Sequence, residues 1–172
     1  LWAWGHNLQG QLGDGNTAQS TPPTQVLTGV SAVAAGDGLT LAIKQDGSLW
    51  AWGNNGDGNL GDGSNTHRNT PVQVLTGVSA MAAGDRHTLA LKQDGSLWSW
   101  GINYAGQLGD SSTQRTTPVQ VLTGVSSIAA GDYHTLALKP DGSLWSWGSS
   151  TYGQLGDGST GTRPTPIRVE GL

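Results

Sequence analysis

Cysteine is missing from this 172-residue chain, and with it go disulfides, thiolate nucleophiles and the usual zinc-ligand sets. Phenylalanine is missing too. Basic residues are few: 8 Lys and Arg stand against 12 Asp and Glu, for a formal charge of −4, and nowhere do they cluster. Neutralising a run of phosphates needs such a cluster, so nucleic acid is not expected as a partner. No apolar run approaches the roughly 18–20 residues of a membrane-spanning helix, so no membrane partner is expected either. Helical periodicity is not evident anywhere. No Ser-His-Asp or paired-carboxylate arrangement stands out, and no glycine-rich segment has a phosphate-loop pattern. These absences predict a protein that is not an enzyme and uses no cofactor or metal.

What the chain does contain is 28 glycines and 8 tryptophans. The glycines follow no three-residue period, which excludes collagen. Regularly placed Trp, Leu and Val supply the apolar surface that disordered segments lack. The regularity is a repeat. LWAWG begins at Leu1 and Leu49, and LWSWG at Leu97 and Leu144, in steps of 48, 48 and 47 residues. A Leu-Gly-Asp triplet ends at Asp14, Asp62, Asp110 and Asp157. VLTGV begins at Val26, Val74 and Val121, with a worn copy at Val169, and AAGD ends at Asp37, Asp85 and Asp132. The chain therefore reads as one repeat domain, residues 1–172, with units 1–48, 49–96, 97–143 and a partial 144–172.

Each unit divides into strands. A run of small and apolar residues follows VLTGV. Next comes a TLAL segment alternating at the strand period of two, then DGS, then the tryptophan segment. Asp-Gly between two alternating runs signals a hairpin. Pro140 refines it, because a two-residue loop centred on Asp141-Gly142 would place proline where a ladder N–H is wanted. A type I turn with Pro140 second and a left-handed, bulged Gly142 removes the conflict. TPVQVL, at 70–75 and 117–122, supplies a fourth strand. Four antiparallel strands per unit predict an all-β fold of β-propeller blades. Each blade is packed on both faces, with Trp98 and Trp100 on one side and Leu97 and Ser99 on the other. Core packing against small residues of the adjacent blade is the role read for Trp50, Trp52, Trp98, Trp100, Trp145 and Trp147.

The pattern V-x-x-I/V-A-A-G-x-x-H-T-L-A-L-x-x-D-G-x-L-W-x-W-G, followed by N-x-x-G-Q-L-G-D-G, resembles the repeat of the regulator of chromosome condensation family. It is closest to the short, uniform bacterial repeats. The resemblance covers the whole chain and implies a propeller, usually of seven blades. Its members include a nucleotide-exchange factor, an ultraviolet photoreceptor and a secreted inhibitor of β-lactamases, so fold alone does not choose a function. The photoreceptor's tryptophan motif falls on Asp37, Asp85 and Asp132 here, which removes light sensing.

Full blades at roughly 30–75, 78–122 and 125–170, with two outer strands from residues 1–27, make about three and a half. A ring needs about 4–8 blades. The chain is thus expected to be a segment of a longer array, or to complete its propeller through homo-oligomers joined at exposed blade edges. Leu1 in place of Met agrees with a processed or trimmed segment. The expected location is extracellular, with cytoplasmic as the alternative.

Function is read where the repeats disagree, in the pair after AAGD and in the loop after each tryptophan segment. Arg86, Tyr104, Tyr133, Tyr152, Asn54, Asn55 and Asn103 are the candidate partner-binding residues. All three tyrosines fall in these loops, and Tyr and Arg are residue types that anchor interfaces. The partner is expected to be another protein or another copy of the chain, with a self-associating structural segment or a glycan-binding module as alternatives. His87 and His134 read as packing residues with a local hydrogen bond, because the first unit has Leu39 at that position. Asp85 and Asp132 read as caps of their own turns, and the Leu-Gly-Asp aspartates as turn residues.

Overall fold

The computed structural model describes residues 1–171. Strands β1 (Trp2–Gly5) and β2 (Ser20–Gln25) form a two-stranded sheet. Three four-stranded antiparallel sheets follow. The first holds β3 (Val30–Ala35), β4 (Leu39–Lys44), β5 (Leu49–Gly53) and β6 (Arg68–Leu75). The second holds β7 (Val78–Ala83), β8 (His87–Lys92), β9 (Leu97–Ile102) and β10 (Gln114–Leu122). The third holds β11 (Ser127–Ala130), β12 (His134–Leu138), β13 (Leu144–Gly148) and β14 (Arg163–Arg168). Strands neighbour one another in chain order within each sheet. The three and a half blades expected from the repeat are all present, and among the described residues there is no helix. The fourth strands begin earlier than TPVQVL, since their polar leading residues join the ladder.

The hairpin turn has the predicted form. Gly142 N–H donates to Lys139 O at 3.0 Å and Lys139 N–H donates to Ser143 O at 3.0 Å. Gly142 has φ +82°, and Gly47 and Gly95 match it at +77° and +78°. Pro140 thus occupies the second turn position, where its fixed φ is favourable and no ladder N–H is lost. The turn aspartate is held as well: Asp46 Oδ1 accepts Ser48 N–H at 2.9 Å and its hydroxyl at 2.6 Å. Those bonds from Ser48 lower the Asp46 pKa.

Proline also marks the sheet edges. Pro22, Pro23, Pro71, Pro118, Pro164 and Pro166 all lie in β2, β6, β10 or β14. Each of these is the last strand of its sheet, where a missing N–H breaks no ladder on the open side. Register shifts interrupt each of these pairings, among them Arg115/Val119, which spans Pro118.

Cross-strand pairing sorts each blade into two faces. Ala42 opposes Trp50 and Thr40 opposes Trp52, while Leu41 opposes Ala51 and Ile43 opposes Leu49. The leucine face of one blade packs on the tryptophan face of the next. Leu41, Ile43, Leu49 and Ala51 cluster with Trp100, and Leu89, Leu91 and Leu97 cluster with Trp147. The expected small partners are there, Ala51 among them, but leucines share the joint and a glycine lies closest to the indole nitrogen. A Cβ on Gly61 would sit 2.6 Å from Trp100 Nε1, and one on Gly13 2.5 Å from Trp52 Nε1. Burying an indole removes roughly 150–250 Å² from water, about 4–6 kcal/mol at 25 cal/mol/Å².

Candidate functional site

Both kinds of variable loop emerge at the same end of the sheets, the first between strands one and two of a blade, the second between strands three and four. The second loop is clamped from within. Asn55 is fully buried; its Oδ1 accepts Leu60 N–H at 2.9 Å, and its amide donates to Asp62 Oδ1 at 3.0 Å and Ser64 O at 2.9 Å. Asn103 does the same for Leu108, Asp110 and Ser112, and Asn7 for Leu12 and Asp14. In the last unit Ser150 stands at this position, and its hydroxyl donates to Ser159 O at 3.0 Å.

The Leu-Gly-Asp aspartates complete the clamp as turn residues. Asp62 Oδ1 accepts Ser64 N–H at 3.0 Å, and Arg68 Nε donates to its other oxygen at 2.6 Å. Asp110 pairs with Arg115 and Asp157 with Arg163 in the same way. Burial raises the carboxyl pKa of Asp62 and Asp110, but the bonds from serine and arginine outweigh it and the net shift is downward.

Asn55 and Asn103 must therefore leave the set of partner-binding candidates. They differ between units in surroundings but not in duty, which is to satisfy buried backbone groups. Asn54 remains at the surface, its N–H bonded to Gly38 O at 2.8 Å.

Arg86 and Tyr133 come together across two blades. Tyr133 hydroxyl donates to Asp85 Oδ2 at 3.1 Å; Arg86 Nη1 reaches Asp57 Oδ2 at 3.4 Å, and its Nε lies 3.7 Å from Asp85. The acceptor carboxylate raises the Tyr133 pKa. Asp85 is consequently no cap of its own turn; its carboxylate links neighbouring loops. Asp132, also read as a cap, is exposed, with no hydrogen bond to its own turn among the described residues. Sequence reasoning missed Asp57, since an Asp in a Gly-rich loop looks like turn chemistry. Tyr104 and Tyr152 stand outside this cluster, 82% and 92% exposed.

His87 is fully buried and His134 half-buried. The bond His87 makes is not local: Nε2 lies 3.2 Å from Thr135 Oγ1 of the next blade. Burial first, and then His134, depress its pKa to about 4, so the ring is neutral at pH 7. No group of three or more His, Asp or Glu among the described residues could hold a metal ion.

The model of the RCC1-like domain family matches residues 1–172. Human WBSCR16 superposes with a TM-score of 0.85 at 28% identity, over 99% of this chain and 48% of that one. Prp20p of Saccharomyces cerevisiae, which binds Gsp1p and histones, superposes at 0.84 with 25% identity over 99% and 46%. Yeast RCC1 bound to Kap60 gives 0.83 and 24% over 99% and 44%. This chain spans about half the length of these relatives. No curated protein sequence matches it significantly. Matched by that model from end to end, and built of the same blades, the chain belongs to the RCC1-like domain family.

Proposed function

We propose that the chain is a non-enzymatic scaffold that holds another protein against its variable-loop face. One observation carries this reading. Residues constant between units are mostly buried or half-buried in the blades and loop clamps, or lie in the Leu-Thr-Gly and Asp-Gly-Ser turns, while Arg86, Tyr104, Tyr133 and Tyr152 vary and are exposed in the loops at one end of the sheets. Tyr133 and Arg86 with the carboxylates of Asp57 and Asp85, and the exposed Tyr104 and Tyr152 outside that cluster, are suited to a polar, hydrogen-bonded interface. One relative, yeast Prp20p, binds Gsp1p and histones, which agrees with a binding role on this fold.

Alanine at Tyr104, Tyr133 and Arg86 together tests the reading. A partner captured by the native chain should be lost by this variant, whose unfolding midpoint stays unchanged. Capture that survives all three changes overturns the loop-face assignment.

A glycan-binding reading has one observation in its favour. A cleft of about 390 Å³ beside Tyr104 is lined by Ser111, Ser112, Thr113 and Thr162, hydroxyls next to an exposed aromatic ring. Oligosaccharide binding abolished by Tyr104→Ala alone would support it over a protein partner.

A further inference from the structure

Successive sheets are laced together beside the variable loops at two of their three joints. At the first, Gly15 N–H donates to Asn69 O at 2.8 Å, and Asn69 Nδ2 donates back to Gly15 O at 2.9 Å. At the second, Gly63 N–H donates to Thr116 O at 2.9 Å, and Gln114 Nε2 reaches Asn65 Oδ1 at 3.3 Å. The third joint, between β7–β10 and β11–β14, is different. Ser111 stands where Gly15 and Gly63 stand, and Pro164 lies against Gly106 as Asn69 lies against Gly10 and Thr116 against Gly58. Among the described residues no hydrogen bond joins Ser111–Thr113 to Thr162–Pro164. Proline has no side-chain amide to offer. The joint is open there, as the cleft of about 390 Å³ beside Tyr104.

The cleft is polar without being charged: no Lys, Arg, Asp or Glu lines it. Ser111, Thr113 and Thr162 do, and none of their hydroxyls is bonded among the described residues, whereas Ser112 donates its own to Asp110 Oδ1 at 2.7 Å. The N–H of Ser111 and the C=O of Pro164 lack the bond that their counterparts make. Tyr104, 82% exposed, borders these groups. Ser111 is also the one non-glycine residue with positive φ, +59°, among the described residues. Strain of this kind gathers at ligand sites.

We infer that this cleft binds a neutral saccharide, with one pyranose ring seated between the two blades. The inference rests on the glycan-binding reading above and adds to it the walls of the site. A pyranose matches the lining on both counts. Its hydroxyls donate and accept, as the hydroxyls and released backbone groups require, and its C–H face suits the ring of Tyr104. The volume falls within the roughly 300–1,000 Å³ of small-molecule sites. Arg86 and Tyr133 lie outside the cleft and stay available to a protein partner.

Titration calorimetry of the whole chain with maltose, lactose, cellobiose and chitobiose tests this. At least one should bind in a 1:1 ratio, and Tyr104→Ala should weaken it at least tenfold. Ser111→Gly with Pro164→Asn rebuilds the lacing of the first joint and closes the cleft. That variant should also lose at least tenfold in affinity, while its unfolding midpoint does not fall. If the double change unfolds the chain, Ser111→Gly alone, which removes one hydroxyl and the strain, should still weaken binding at least threefold; unchanged affinity overturns the proposal. Failure of all four sugars to bind the native chain overturns the site and the glycan reading together. Binding that falls in Tyr104→Ala but survives in a folded double variant leaves that reading standing and overturns the site between the blades. A blocked tetra-alanine peptide that binds in place of any sugar overturns both.

Discussion

Trp4 and Trp100 occupy the same position in two repeats, with the same flanking Leu-Trp and Gly, and have opposite surroundings. Trp100 is fully buried; its Nε1–H donates to Asn59 O at 3.0 Å, Gly61 lies against the ring and the leucines of the preceding blade close over it. Trp4 is 60% exposed. The difference shows where the energy of a blade resides. A strand's own sequence determines its pairing and the face each side chain takes, but the unit before it supplies the burial. In repeat proteins stability divides into intrinsic and neighbour terms, and here the indoles belong to the neighbour term.

Truncating the two tryptophans makes that comparison quantitative. Trp100→Ala should destabilise by about 4 kcal/mol. Trp4→Ala should change stability by less than about 0.5 kcal/mol. Urea unfolding followed by far-ultraviolet dichroism gives both values. Equal losses would mean that the joint does not carry the burial energy.

A second pair shares a position but not a chemistry. Leu39 and His87 are equally buried in successive units, yet only the histidine titrates. Its pKa is about 4 in the folded chain against 6.5 in the unfolded one. Above pH 6.5 both states are neutral and the group contributes no pH dependence. Between 6.5 and 4 the unfolded chain binds the extra proton, so stability falls as pH falls, by about 3 kcal/mol at 1.36 kcal/mol per unit. Asp62 and Asp110, whose pKa values are lowered from 3.8, act only below that window. His87→Leu, which copies the first unit, should flatten the stability profile between pH 6.5 and 4. An unchanged slope in that variant would assign the effect to another group.

Gly61 and Gly156 extend the comparison to the glycine half of the joint. Both have positive φ, +80° and +69°, but only Gly61 lies against an indole. Gly61→Ala combines left-handed strain with overpacking and should lose about 3 kcal/mol; Gly156→Ala should lose about 1 kcal/mol from strain alone. Thermal melts of the two variants side by side would separate the contributions.

Most of the fold was legible because the repeat states it several times over. Strand order, the bulged turn at Gly142 and the two faces of LWSWG all follow from local chemistry that a single unit contains. The site was less legible. Asn55 and Asn103 look like surface loop polar residues, and only the folded loop shows backbone N–H and C=O groups converging on them. Asp85 looks like a turn cap, and its real partner, Tyr133, lies 48 positions away. What was missing for the asparagines was the closed shape of their own loop, and for Asp85 the neighbouring unit; periodicity within a unit contains neither.

The smallest effect concerns one position at which the units themselves differ. The residue after each Leu-Gly-Asp is Gly15, Gly63 or Gly158, all with positive φ, but in the third unit it is Ser111, held at φ +59°. A side chain in the left-handed region is disfavoured by about 1–2 kcal/mol. Glycine offsets part of that advantage, since its freer unfolded chain costs about 0.5–1 kcal/mol on folding. Ser111→Gly should therefore stabilise by about 0.5–1 kcal/mol, read as a rise in the urea midpoint at constant slope. The reciprocal change, Gly63→Ser, should lower the midpoint by a similar amount, because a Cβ there would meet only Thr117 Cγ2, at 3.7 Å. With packing nearly absent from both sites, the pair isolates the backbone contribution. If Ser111→Gly instead weakens the fold, the serine makes a stabilising contact that compensates its strain, and the cleft beside Tyr104 is where that contact would lie.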